Sequence, residues 1–175
     1  MQKQLVATLL AALLLVSLRA QDKKLKSLME DAADAKAAFL KQDESLSKFF
    51  KQAAGYVIFP NVGKGGLGIG GASGHGILYE KGVAAGRANF VQVTIGLQAG
   101  GQAYREVIFF EGHEQLNRFK ENKFEFSAQA SAVAVSSGVA ANAKYNEGVA
   151  VFTMAKKGLM YEASLGGQKF KYEPL

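Results

Sequence analysis

At Gly55 the spacing of apolar residues changes from three-and-four to two, and that switch restricts the fold to helices followed by a sheet. Before it, Leu25, Leu28, Met29, Ala32, Ala35 and Phe39 form one helical stripe, with Lys23, Lys24, Lys26, Glu30, Asp34 and Lys36 on the other face. Asp43 is placed to cap a second short helix carrying Leu46, Phe49, Phe50 and Ala53, which Gly55 would end. After the switch, Val91-Gln92-Val93-Thr94-Ile95-Gly96-Leu97-Gln98-Ala99 is apolar at every odd position, so those residues are expected to face a core. Residues 124–132 repeat the pattern with even positions inward, as do Leu159, Tyr161, Ala163 and Leu165, followed by Phe170 and Tyr172. Residues 56–59, 77–79, 104–110 and 149–154 add further strands. Glu80-Lys81-Gly82 and Lys156-Lys157-Gly158 supply turns, which implies antiparallel hairpins. Residues 112–120, with Leu116 and Phe119 on one side, read as a helix inserted among the strands. The expected class is α+β: N-terminal helices packed on a curved, mostly antiparallel, partly closed sheet with one inserted helix. Alanine and glycine at many alternating positions favour the curvature, because small side chains let neighbouring elements approach closely.

Residues 1–20 have the pattern of a secretory signal peptide: Lys3, an apolar run over residues 5–16 broken only by Thr8, and Ala20 before a charged stretch. The run is short for a membrane span, which needs about 20 apolar residues. Residues 21–175 then form a single domain, helical over 21–54 and β-rich over 55–175, exported to the periplasm or to the periphery of an envelope membrane. The formal charge is +6, and removing Lys3 and Arg19 would leave +4. A basic balance favours anionic surfaces. No concentrated Lys/Arg block is present, so nucleic acid is not an expected partner.

Motifs for catalysis are weak. Gly66-Leu67-Gly68-Ile69-Gly70-Gly71 has the G-x-G-x-x-G spacing, but another strand follows where a dinucleotide site requires a helix. Ser73 lies between glycines but His75 takes the place of the second glycine of a nucleophile elbow, leaving a hydrolase on Ser73 and His75 as a remote reading. Two isolated histidines and no cysteine make no metal-ligand cluster. No cofactor, metal or catalytic residue is therefore assigned, and the chain is not expected to be an enzyme. Turn lysines are the more informative feature. Lys64 sits in the glycine-rich stretch, Lys81 in one turn, and Lys156 and Lys157 in another, where they could gather to meet anionic headgroups. Lysines in turns are more often simply solvated.

The segment Ala54-Gly55-Tyr56-Val57-Ile58-Phe59-Pro60, followed by Val62-Gly63-Lys64-Gly65-Gly66-Leu67-Gly68, resembles the opening of the SYLF domain, also known as the Ysc84-type actin-binding domain. Ile95-Gly96-Leu97-Gln98-Ala99-Gly100-Gly101-Gln102, Glu106-Val107-Ile108-Phe109-Phe110 and residues 158–170 are similar to its bacterial exported branch. The resemblance implies binding to anionic phospholipids without catalysis or cofactor. Actin, a ligand of eukaryotic members, is not expected in an exported protein. Where eukaryotic members carry a tryptophan-serine stretch, this chain has Arg87-Ala88-Asn89-Phe90. The competing expectation is a structural or protein-interaction module of the envelope, using a sheet edge or apolar patch to hold a protein partner.

Overall fold

A computed structural model describes residues 2–67, 69–95, 100–127, 130–156 and 162–175. Helix α1 (Gln2–Gln42) is followed by a 3₁₀ turn (Glu44–Leu46) and the short α2 (Ser47–Gln52). The break falls where the sequence places it. Asp43 has extended backbone, and its carboxylate accepts from the Ser45 amide at 3.0 Å and the Ser45 hydroxyl at 2.6 Å. The strands are β1 (Gly55–Leu67), β2 (Ile69–Glu80), β3 (Val83–Ile95), β4 (Gly100–Phe110), β5 (Ser131–Ala134), β6 (Val149–Ala155), β7 (Glu162–Ser164) and β8 (Gln168–Pro174). Helix α3 (His113–Lys120) is the expected insertion, and a single turn, α4 (Val139–Asn142), precedes β6.

All eight strands lie in one sheet, ordered β7-β5-β6-β4-β1-β2-β3-β8, and every pairing except β5 with β6 is antiparallel. The sheet is open in hydrogen bonding, yet its two end strands are joined by the turn at Leu165–Gly167, so it curls until its ends come close. Pro60 lies in β1, between β2 and β4, where a proline cannot donate to a ladder. A register shift at that point, between Ile58 and Asn61 toward β2 and between Phe59 and Val62 toward β4, accommodates it.

Each face of the sheet has its own core. The convex face carries Tyr56, Ile58, Ile77, Val107, Phe109 and Phe152, covered by Ala32, Ala35 and Phe39 of α1 and by Leu46 and Phe49. The helical stripe read from the sequence therefore packs on the sheet. The concave face carries Val57, Phe59, Leu78, Phe90, Ile108 and Phe110, closed over by Leu116 and Phe119 of α3 and by Phe124. Rings fill this interior in contact with one another: Phe59 to Phe90 at 4.9 Å, Phe110 to Phe119 at 5.1 Å and Phe119 to Phe170 at 5.3 Å between centroids.

Two strand expectations need correction. In β3 the odd valines face outward, Val91 at 59% and Val93 at 71% exposure, while Phe90 and Gln92 are buried. One uninterrupted pleat carries Ala88, Phe90 and Gln92 inward together, and without a bulge after Phe90 the phase cannot invert. Residues 124–127 are not a strand beyond one isolated bridge from Glu125 to Lys169, although Phe124 does point inward. Leu159 and Tyr161 lie outside the described residues.

Candidate functional site

Antiparallel pairing gives the molecule two ends. At one, the hairpin end, β1 and β2 pair as far as Leu67 opposite Ile69, and β3 and β4 reach Ile95 and Gly100. At the other, β2 passes into β3 through Lys81 and Gly82, both at positive φ, as a two-residue hairpin of this kind requires. The turn lysines divide between these ends. Lys64 is three residues before the end of β1, opposite Gln102, on the same concave face as Val62. Lys156 follows β6 at the same end: its amide bonds to the Ala103 carbonyl at 3.0 Å, and its ammonium donates to Asn61 Oδ1. Lys81 projects from the far end, so the expected gathering of all the turn lysines does not occur. Lys157 is outside the described residues.

Two cations missed in the sequence join the hairpin half. Arg105 follows Tyr104 on β4, and Lys169 pairs with Val91 in β3. No turn announces them; their alternation with Tyr104 and Gln168 on strands that cross this end was the available signal. Among the described residues, Lys64, Arg105, Lys156 and Lys169 have no carboxylate partner. At the far end Lys120 bonds Glu80 at 2.7 Å and Lys123 bonds Glu121 at 2.8 Å, while Lys81 has no carboxylate partner among the described residues. The Glu80 bond holds the Lys120 pKa above its ordinary value. Lys171, nearer the middle of β8, is paired with Glu173 at 2.8 Å.

Between Lys64 and the aromatic interior lies a polar layer. Gln92, Glu106, Thr153 and Gln168 are all buried on the concave face. Glu106 stands opposite Thr153 across β4 and β6, and Gln92 opposite Gln168 across β3 and β8. Gln168 Nε2 donates to Glu106 Oε2 at 3.3 Å, and Gln92 Nε2 to the Gly166 carbonyl at 2.9 Å. Burial, only partly offset by the Gln168 bond, pushes the Glu106 carboxyl up to about 8. Burial and the neighbouring Glu106 also hold the Tyr104 phenol well above its ordinary value.

The remaining candidates do not assemble into catalytic machinery. Ser73 and His75 sit in the extended strand β2, and His75 Nδ1 is 2.5 Å from Asn89 Oδ1. The glycine motif forms the paired ends of β1 and β2, with no helix after it. A groove of about 500 Å³ between α1 and the convex face is lined by Leu25, Leu28, Asp31, His75, Arg87 and Glu173 among others, and Arg87 is already paired with Glu173 at 3.2 Å. No group of three or more metal-ligating side chains occurs among the described residues.

Helices α1 and α2 on the convex face, α3 over the concave face, an aromatic-filled interior and cations toward the hairpin end make this an α+β domain built on a curled antiparallel sheet. Residues 91–173, a little under half of the chain, match the Ysc84 family, described as Las17-binding protein actin regulator, and over that span the chain is similar to this SYLF-type family. Beta cell expansion factor A of Aeromonas veronii is 27% identical over 169 residues, covering 87% of this chain and 64% of that protein. The chain thus spans a little under two thirds of that relative's length.

Proposed function

We propose that this domain is a non-catalytic phospholipid-binding module whose hairpin end contacts anionic headgroups at an envelope membrane. The observation that carries the reading is the set of four cations in the hairpin half of the sheet. Among the described residues, Lys64, Arg105, Lys156 and Lys169 are free of carboxylate partners, whereas Lys120 and Lys123 toward the far end are paired with Glu80 and Glu121. A surface charge contributes about 1 kcal/mol beside an anionic bilayer, so four of them sustain a weak, reversible attachment. The described interior is packed with aromatic rings, so contact is made at the surface with headgroups. Among the described residues no helix is long and apolar enough to cross a membrane. Export through residues 1–20 and residence in the periplasm belong to this proposal, as does the absence of catalysis.

Flotation with vesicles of neutral phosphatidylcholine, with and without phosphatidylglycerol, tests it. Recovery should require the anionic lipid and fall with added salt, because exposed charges are screened. Lys64→Glu with Lys169→Glu should abolish recovery, while Lys81→Glu at the far end should leave it intact. Equal recovery on both vesicle types, or equal loss from Lys81→Glu, would refute the reading.

A further inference from the structure

The polar layer leaves several of its hydrogen-bonding atoms unserved. Glu106 Oε1, Thr153 Oγ1 and Gln168 Oε1 are each sealed from solvent without a hydrogen-bond partner. A buried carboxylate with one donor 3.3 Å away is a costly arrangement, because the anion has lost water without gaining a counter-charge. A neutral carboxyl removes the uncompensated charge and adds a hydroxyl donor beside the unserved oxygens of Thr153 and Gln168. Directly opposed residues on antiparallel strands have Cβ atoms about 4.5–5.5 Å apart, so a modest side-chain rotation brings the Glu106 hydroxyl to Thr153 Oγ1.

The position of this layer gives the proton a structural consequence. Gln168 opens β8 directly after the turn at Leu165–Gly167, the one short connection between the two end strands of the curled sheet. That turn is fastened to the interior through Gln92 to the Gly166 carbonyl, through Gln168 to Glu106, and by the Leu165 amide to the Ala130 carbonyl at 2.9 Å. We propose that Glu106 is a proton-operated latch: as a neutral acid it is tolerated in the sealed layer and donates to Thr153 Oγ1 or Gln168 Oε1, and loss of its proton to water leaves a buried charge without a counter-charge that is relieved by freeing the turn at Leu165–Gly167 and opening the hairpin end to solvent. Few groups compete for control of this proton. Tyr104, on β4 itself, is the titratable neighbour, and Lys64 on β1 is the cation on the same face, nearer the end and without a carboxylate partner. From β6, β3 and β8 the facing groups are the neutral Thr153, Gln92 and Gln168, with Phe170 and Tyr172 farther along β8, and α3 presents Leu116 and Phe119. Burial places the titration near neutrality, where modest changes in pH would move it. The latch is independent of which partner the surface takes.

Carboxyl-carbon NMR on the wild-type chain, with the resonance assigned by its loss in Glu106→Gln, tests the proton directly. A midpoint above about 7 is expected; one at the ordinary carboxyl value near 4.3 overturns the latch. Hydrogen exchange tests the consequence. After correction for intrinsic rates, amides of residues 165–170 should lose protection by about tenfold per pH unit below the midpoint, while those of paired β1 and β2 hold. In Glu106→Gln, which keeps the shape and cannot ionise, protection of the turn should be independent of pH. The same pH dependence in both chains, a flat response in wild type, or equal loss across β1 and β2 would each reject it.

Discussion

Two buried carboxyl groups face opposite electrostatic conditions, and each dictates its own pH response. Burial works against ionisation of Asp43, but bonds from Ser45, from the Ala140 amide at 2.8 Å and from Gly138 outweigh it and hold its pKa below the ordinary value. Its stabilisation is present above pH 4 and is lost as pH falls through the lowered folded value. Asp43→Ala removes the cap and leaves the Ala140 amide unserved, so urea denaturation at pH 7 should show a loss of about 2 kcal/mol. Glu106 behaves in reverse. Its pKa is raised on folding, so its contribution is complete below the unfolded value near 4.5 and declines as pH rises to about 8. Glu106→Gln should therefore unfold at higher urea than wild type at pH 9, with the difference vanishing near pH 4. Position 106 was legible only as part of a strand. Its neighbours Val107 and Phe109 suit a core as well as Ile108 and Phe110 do, and both sets are buried, so alternation could not say which way the carboxyl points.

Helix α1 and strand β1 illustrate what an element's own sequence can and cannot carry. The stripe from Leu25 to Phe39 specifies the helix and the face it buries, and Lys36 fixes the register by donating to the Tyr56 hydroxyl at 2.9 Å. Phe39→Ala should cost about 3–5 kcal/mol, seen as a lower urea midpoint, since the ring is fully buried against the convex face. In β2, a Cβ on Gly76 would lie 2.5 Å from the Ile58 carbonyl oxygen and 2.6 Å from the Phe59 ring, so Gly76→Ala should destabilise despite its better strand propensity. Thermal unfolding followed by circular dichroism would show the lowered midpoint. Strand β3 shows the opposite case. Its valines favour a strand, but the pleat continuing from Ala88 and Phe90 decides which residues turn inward, and Gln92 is carried into the interior with them.

Across the whole molecule, curling the sheet separates two tasks. The far end pairs Lys120 and Lys123 with carboxylates, and the hairpin half holds four cations without such partners and the buried Glu106. Replacing Lys120 by Met should lower stability by less than about 1 kcal/mol, because its bond to Glu80 is partly solvated. Its vesicle recovery should match wild type, whereas the hairpin-end substitutions should alter recovery with little effect on unfolding. Such a division is invisible along the chain, since Lys81 and Lys156 occupy similar turn-like sequences and end on opposite sides.

Local periodicity and capping chemistry are properties of neighbouring residues, and so the helices, the Asp43 break, the turn at Lys81 and Gly82, and the α+β class could be read from the chain alone. The facing of β3, the pairing of Glu106 with Gln168 across 62 residues, and the sorting of cations between the two ends were decided only in three dimensions. They depend on strand order and on the curl that brings β8 back toward β4, and those are set by contacts between segments far apart in the sequence.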